Sequence, residues 1–204
     1  MAFQGCTNLK TLTFPASYKA ETLSFGLTPF VSCPAFEGYV IEDGASIVRT
    51  EDGTLLAGGG KVLVSLPQDF KGTSYTVPDG VETISDYLFY KKTTITSVTL
   101  PASLKKIGTA AFQGCTKLTS IALPDGFTTL GEHAFDGCSG LKTVTFGQSL
   151  TAVPAYAFSN CSALTAVDLP ATVETVGDYA FRGCSKATAL SLKEGLTSIG
   201  ANAF

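Results

Sequence analysis

The sequence is poor in charge and contains a single histidine, and both shortages exclude classes of function. Charged residues make up 15% of the chain and the formal net charge is -3, so neither a nucleic-acid surface nor binding to an anionic membrane is expected. No Cys-x-x-Cys pair accompanies His133, so a zinc site has little support and nothing in the pattern prepares a catalytic triad. We therefore expect a protein that is not an enzyme and that uses no cofactor and no metal.

Long apolar runs are also absent. No stretch approaches the ~20 apolar residues that a membrane-spanning helix needs, so direct membrane insertion is not expected. No charged and apolar leader precedes the first residues. Instead, Met1 is followed by Ala2-Phe3-Gln4-Gly5-Cys6, which resembles the end of a repeat found later in the chain. We interpret the chain as an excerpt of a longer array, or as one whose first coil is completed by a partner through end-to-end self-association.

What the sequence has in abundance is repetition. The motif Ala-Phe-x-x-Cys ends at Cys115, Cys138, Cys161 and Cys184, and successive cysteines are 23 residues apart. A fixed period in the range of about 20 to 50 residues is typical of stacked coils. Eight positions per coil keep their apolar character at this spacing, and we predict that they face inward: Cys115, Leu118, Ile121, Leu123, Phe127, Leu130, Ala134 and Phe135. The structural residues that we expect to anchor this core are Phe112, Cys115, Phe135, Cys138, Phe158, Cys161, Phe181 and Cys184.

Within one coil the pattern predicts two short strands and a turn. Residues 118–123 end in alternating apolar and polar positions, which favours a strand with one buried face. Pro124 ends this strand because proline has no amide for a continuing ladder. Residues 127–131 predict a second brief strand, and Ala134-Phe135 predicts a tight helical turn. Gly or Asn precedes each late cysteine, as a residue with positive φ would require.

The repeat pattern divides the chain into three segments. We predict irregular N-terminal repeats over 1–42, a β-hairpin insertion over 43–68 and regular 23-residue repeats over 69–204, all within one continuous solenoid domain. Asp52-Gly53 and Gly58-Gly59-Gly60 are the turn signals of the insertion. Gly58-Gly59-Gly60-Lys61 lacks the spacing of a phosphate loop, and the acidic residues beside Gly44, Gly53 and Gly126 are better explained by turns than by calcium.

Three strings in one coil resemble a known repeat family. Leu164-Thr-Ala-Val-Asp-Leu-Pro170, Val173-Glu-Thr-Val-Gly177 and Tyr179-Ala-Phe-Arg-Gly-Cys184 are similar to the BspA-like leucine-rich repeat of bacterial cell-surface proteins. Together with the period, the resemblance implies a leucine-rich-repeat solenoid, β-rich α/β, with about eight stacked coils of ~23 residues, short parallel strands, short helical turns and one β-hairpin insertion. It also implies an extracellular or cell-surface location, a host or microbial surface protein or glycan as partner, and no shared catalytic residues.

The outward positions of the first strand form the candidate ligand face, because solenoids often bind through such surfaces. A solvated scaffold is the competing interpretation, since threonine suits an exposed strand. The face comprises Thr96, Thr119, Lys142, Thr165 and Thr188 in one column, Ser97, Ser120 and Thr143 in the next, and Thr99, Thr145 and Asp168 in a third. The leading hypothesis is a non-catalytic adhesion or recognition module that binds protein or glycan. The alternative is a structural spacer within a larger surface protein, and ice binding by a threonine ladder is a remote third.

The columns of the cysteines and of His133 each have an ordinary structural explanation. All six cysteines fill one column, so we expect buried free thiols rather than a disulfide framework. His133 shares its column with Tyr87, Ala110, Tyr156, Tyr179 and Asn202, an assortment typical of an exposed, loosely specified position.

Overall fold

The computed structural model describes residues 3, 5–19, 33–66 and 70–204, and Met1, Ala2 and Gln4 lie outside these residues. The chain divides into two compact units, Met1–Phe70 and Lys71–Phe204. All regular elements among the described residues are β-strands, numbered here in chain order. The predicted division into three segments of a single domain stays a prediction.

The first unit combines two parallel strands, one from each of two successive coils, with an antiparallel meander. Strands β1 (Thr11–Phe14) and β2 (Gly38–Ile41) pair in parallel, with Thr11 opposite Gly38. Strands β3 (Val48–Arg49), β4 (Leu55–Ala57) and β5 (Val62–Ser65) pair antiparallel in that order. Glycines with positive φ occupy the connecting turns, as in Gly53 and Gly58. The core of the unit consists of Phe14, Ile47, Leu55, Ala57, Val62 and Val64.

The second unit is built on two sets of parallel strands, one pair of strands per coil. The first ladder consists of β6 (Ser74–Thr76), β8 (Ser97–Thr99), β10 (Ser120–Ala122), β12 (Thr143–Thr145), β14 (Ala166–Asp168) and β16 (Ala189–Ser191). The second ladder consists of β7 (Thr83–Ile84), β9 (Lys106–Ile107), β11 (Thr129–Leu130), β13 (Ala152–Val153), β15 (Thr175–Val176) and β17 (Ser198–Ile199). Paired residues differ by one repeat, as in Ser120 opposite Thr143. The sequence period therefore sets the register.

A third set of hydrogen bonds joins the turns, and we call it the turn ladder. The amide of Phe112 donates to the carbonyl of Ala134 at 2.8 Å, and Phe135 bonds Ala157 in the same way. The expected short helical turns are not formed among the described residues. The reason is backbone handedness, because His133 (φ 56°) and Gly137 (φ 72°) adopt positive φ within each turn, whereas a helix needs a run of negative φ.

The core of the second unit is a stack of phenylalanines. Successive ring centroids from Phe89 through Phe112, Phe135 and Phe158 to Phe181 lie 4.7, 5.0, 5.2 and 5.3 Å apart, and the rings are parallel within 6°. The predicted apolar columns are buried, with Phe135 and Cys138 both fully enclosed. The predicted fold class, a leucine-rich-repeat solenoid, is confirmed; the described residues hold two parallel strands, one from each of two coils, in the first unit and six pairs of strands, one pair per coil, in the second.

Candidate functional site

The predicted ligand face lies along the first ladder. Ten of its eleven residues are exposed, and Thr96 is half-buried. Pairing brings Thr143 opposite Ser120, and Ser120 opposite Ser97. Asp168 lies opposite Ser191 on the next coil. The structure therefore brings the small polar side chains together in columns, while their role in binding stays a prediction.

Threonine hydroxyls on this face act as ties between coils. The Oγ1 of Thr119 donates to the carbonyl of Thr96 at 3.2 Å, and that of Thr96 donates to Thr73 at 2.9 Å. Thr165 and Thr188 repeat the contact further along, at 3.3 and 3.4 Å. Because a hydroxyl has one proton, a ligand at these positions meets an acceptor rather than a donor.

Charge on the face is sparse. Lys142 is the cation of the first column and is exposed. Asp168 pairs with Lys193, whose Nζ lies 2.8 Å from Oδ1, and the hydrogen bond from Lys193 lowers the pKa of the Asp168 carboxyl. Lys193 also donates to the hydroxyl of Ser191 at 2.7 Å. The face therefore presents mainly neutral hydroxyl groups.

The column of His133 is specified more tightly than predicted. All six of its residues have positive φ, between 51° and 58°. Their rings stack, with centroids 4.5 Å apart between His133 and Tyr156 and 4.9 Å apart between Tyr156 and Tyr179. These three residues are half-buried rather than exposed, so the expectation of a loosely specified exposed position is wrong. Asn and His tolerate positive φ well, and their presence in the column was the available signal.

Asp136 ties three coils together beside this stack. Its carboxylate accepts from Gln113 Nε2 of the preceding coil at 2.9 Å and from Asn160 Nδ2 of the following coil at 3.1 Å. The Nδ1 of His133 lies 3.2 Å from the same carboxylate. The contact orients the imidazole beside a carboxylate, and such a pair is one component of a general-base site. The pair alone supplies no nucleophile.

The four late cysteines do not supply a nucleophile either. All six are free, as expected, and Cys6 is exposed, in contrast to the predicted burial. Burial raises the pKa of Cys115 to about 12 and that of Cys184 to about 11, and it raises the pKa values of Cys138 and Cys161 as well. Since the thiolate is the reactive and metal-binding form, these thiols are inert.

Other site classes are also missing from the residues that the structure describes. Across 5–19, 33–66 and 70–204, no three His, Cys, Asp or Glu side chains gather as metal ligands. Within the same residues, no helix has the length and apolar character to cross a membrane.

An apolar hollow of about 420 Å³ lies at the last coil of the second unit. Val167, Phe181, Cys184 and Leu190 line it together with Phe204. Leu190 and Phe204 are 44% and 51% exposed, whereas their counterparts one coil earlier, Val167 and Phe181, are 3% and 2% exposed. At the hollow, the apolar columns of Leu190 and Phe204 are therefore exposed, whereas in the preceding coil the same columns are covered by the coil that follows.

Stacked coils, two parallel ladders and a buried column of phenylalanines define a leucine-rich-repeat solenoid protein. The chain belongs to the family of the BspA type leucine rich repeat region, of which six copies match residues 68–167. No curated protein matches the chain.

Solved structures of bacterial leucine-rich repeat proteins are similar. One from Eubacterium ventriosum is 26% identical with a TM-score of 0.68, over 85% of this chain and 53% of its own. The T. pallidum leucine rich repeat protein is 31% identical with a TM-score of 0.54, over 76% of this chain and 82% of its own. A leucine rich cell surface protein from Faecalibacterium prausnitzii shares the fold, at 18% identity and a TM-score of 0.51, over 98% of this chain and 62% of its own. This chain thus spans about half the length of the E. ventriosum protein.

Proposed function

We propose that the chain is a non-catalytic recognition module at the cell surface, which binds a surface protein or glycan of a host or another microbe. The carrying observation is the first-ladder face, where columns of small hydroxyl side chains stand exposed in register over successive coils. Regular hydroxyl groups on a rigid scaffold suit ligands rich in hydrogen-bonding groups. The repeat family is generally non-catalytic, and the similarity to the leucine rich cell surface protein of F. prausnitzii supports the location.

Binding is tested by screening the chain against extracellular-matrix proteins and mucin glycans. The informative variant replaces Ser120 and Thr145 with glutamine, which enlarges the face and leaves the ties of Thr119 and Thr165 in place. The matched control also introduces glutamine, in place of Thr129 and Thr175, which are exposed on the second ladder. We expect at least tenfold weaker binding for the first variant and unchanged binding for the control. Equal binding by both variants would contradict a site on the first-ladder face.

A structural spacer is the second candidate, and the threonine ties favour it. Thr96, Thr119 and Thr165 use their only hydroxyl proton to join coils, so part of the face is explained by stability alone. A spacer predicts that no ligand is retained in the same screen. Ice binding is disfavoured because Lys142 and Asp168 interrupt the hydroxyl columns, and a thermal hysteresis measurement separates it from both candidates.

A further inference from the structure

We infer that the coil formed by residues 138–160 is a built-in hinge, at which the strand ladders of the second unit open while the turn ladder holds. Strands β11 and β13 belong to different sheets, and so do β12 and β14. All other successive strands of the first and second ladders in this unit are joined. The two interruptions lie on opposite sides of one coil, so each of its two junctions lacks the strand pairing of one ladder. At the junction of β12 and β14, the amide and the hydroxyl of Thr165 still donate to the carbonyl of Lys142, at 3.2 and 3.3 Å.

The interruption of the second ladder has a covalent cause at Pro154. In four of the other five coils this position is a glycine whose amide donates to the preceding coil: Gly108 to Ile84 at 2.9 Å, Gly131 to Ile107 at 2.9 Å, Gly177 to Val153 at 2.7 Å and Gly200 to Val176 at 2.7 Å. The remaining coil has Ser85. Proline has no amide proton and cannot make the equivalent bond to Leu130. The ladder is therefore broken between β11 and β13.

The interruption of the first ladder lies beside a glycine that stands in place of a proline. Gly147 stands where the neighbouring coils have Pro124 and Pro170. A Cβ at Gly147 would lie 1.9 Å from the carbonyl oxygen of Pro124, so the two backbones are in close contact. Val144 in β12 is half-buried, whereas its counterparts Ile121 and Val167 are each 3% exposed. Strand β12 is therefore paired with β10 and not with β14, and its inward side chain is less covered than in the neighbouring coils.

The turn ladder and the ring stack continue through this coil. Phe135 donates to Ala157 and Phe158 donates to Ala180, both at 2.8 Å. The rings of Phe135 and Phe158 lie 5.2 Å apart, which matches the spacing elsewhere in the stack. The turn ladder is thus the axis of the hinge. The coil separates from its neighbours at the two interrupted strand ladders. Segments with fewer backbone ties open at lower free energy than the rest of a fold.

Amide hydrogen exchange on the intact chain tests the hinge. We expect the amides of Leu130 and Ala152 to exchange at least tenfold faster than those of Ile107 and Thr129, which hold the equivalent positions one coil earlier. Equal exchange at the paired positions would overturn the inference.

Two substitutions locate the cause. Pro154→Gly returns the missing amide in the residue type that the other coils use, and we expect exchange at Leu130 and Ala152 to slow about threefold to tenfold, the factor that one ordinary hydrogen bond supplies. Gly177→Pro removes the bond to Val153 from an intact step, and we expect exchange at Val153 and Thr175 to accelerate by a similar factor. Should Gly177→Pro fail to fold, Pro154→Gly still decides, since unchanged exchange in it would refute the assigned cause.

Discussion

The thiol of Cys138 donates a hydrogen bond to the carbonyl oxygen of Phe112, 3.1 Å away in the preceding coil. Cys115 bonds Phe89 at 3.0 Å and Cys161 bonds Phe135 at 3.3 Å in the same way. The column is therefore not merely apolar filling, because each buried sulfur supplies a donor to the backbone of its neighbour. An apolar side chain at the position would lack this donor.

Replacing Cys138 by alanine removes both the donor and the buried sulfur. We expect a loss of about 1–3 kcal/mol in the free energy of unfolding, measured by urea denaturation, from the lost hydrogen bond and the cavity. Cys6→Ala is the control, because Cys6 is exposed and its replacement should change the stability by less than about 0.5 kcal/mol. Equal effects of the two substitutions would contradict the role of the thiol bond.

The cysteine column also predicts a loss of stability at alkaline pH. Burial raises the pKa of Cys115 from 9.0 to about 12 and that of Cys184 from 9.0 to about 11, so the folded state keeps protons that the unfolded state releases. The contribution is complete below pH 9.0 and declines as the pH rises toward the folded pKa values. We expect the free energy of unfolding to fall between about pH 9 and pH 11. A Cys115→Ala, Cys184→Ala variant should show a shallower decline, and a decline of the same slope would exclude the thiols as its source.

The glycine that follows the second-ladder strand β11 is required by close approach of the preceding coil. A Cβ at Gly131 would lie 2.4 Å from the backbone carbon of Gly108, whereas a Cβ at Gly126 meets nothing within 4 Å. We expect Gly131→Ala to cost about 1–3 kcal/mol through overpacking, and Gly126→Ala to change stability by less than about 0.5 kcal/mol. Thermal unfolding of both variants measures the difference. If Gly131→Ala is tolerated as well as its control, the backbones at Gly131 and Gly108 are not in close contact.

The carboxylate of Asp136 joins residues of three coils. We expect Asp136→Ala to lower the free energy of unfolding by about 1–3 kcal/mol, because the donors of Gln113 and Asn160 lose a charged partner. Asp125→Ala, at an exposed turn position of the same coil, is the matched control. A double substitution of Gln113 and Asp136 tests the coupling, since additive effects would show that the contact contributes nothing of its own.

The repeat period made most of the fold predictable. Residues such as Phe135 and Cys138 recur at a fixed spacing, and in a stacked array that spacing fixes both burial and register. The period could not show the hydrogen-bond partners of Thr119 or the handedness of the turn at Tyr156, because both depend on how closely adjacent coils approach. Pro154 is visible in the sequence as an exception, as is Ser85, to a column of four glycines. The break between β11 and β13 could not be predicted from it, because the sequence does not show that the amide at this position donates to the preceding coil.

The candidate face was predictable as a set of outward strand positions, but its chemistry was not. Thr119 and Ser120 are adjacent and both exposed, yet the hydroxyl of Thr119 is committed to the backbone of the preceding coil. Alternation along a strand distinguishes inside from outside and carries no information on side-chain bonds. The stack of His133 on Tyr156 was missed for a related reason, because a mixed column of aromatic and small residues does not reveal a shared backbone conformation.

The turn ladder donates forward, as from Phe112 to Ala134, whereas the strand ladders donate in both directions, as from Gly131 back to Ile107 and from Leu123 forward to Thr145. Every coil is thus donor and acceptor toward the same neighbour, and each of these bonds spans about one repeat of sequence. Duplication or loss of one whole coil would rebuild the same junction from equivalent atoms. Loss of a single residue inside a bonded segment of the second unit would shift that segment against its neighbours, so changes of a whole 23-residue coil disturb these bonds least.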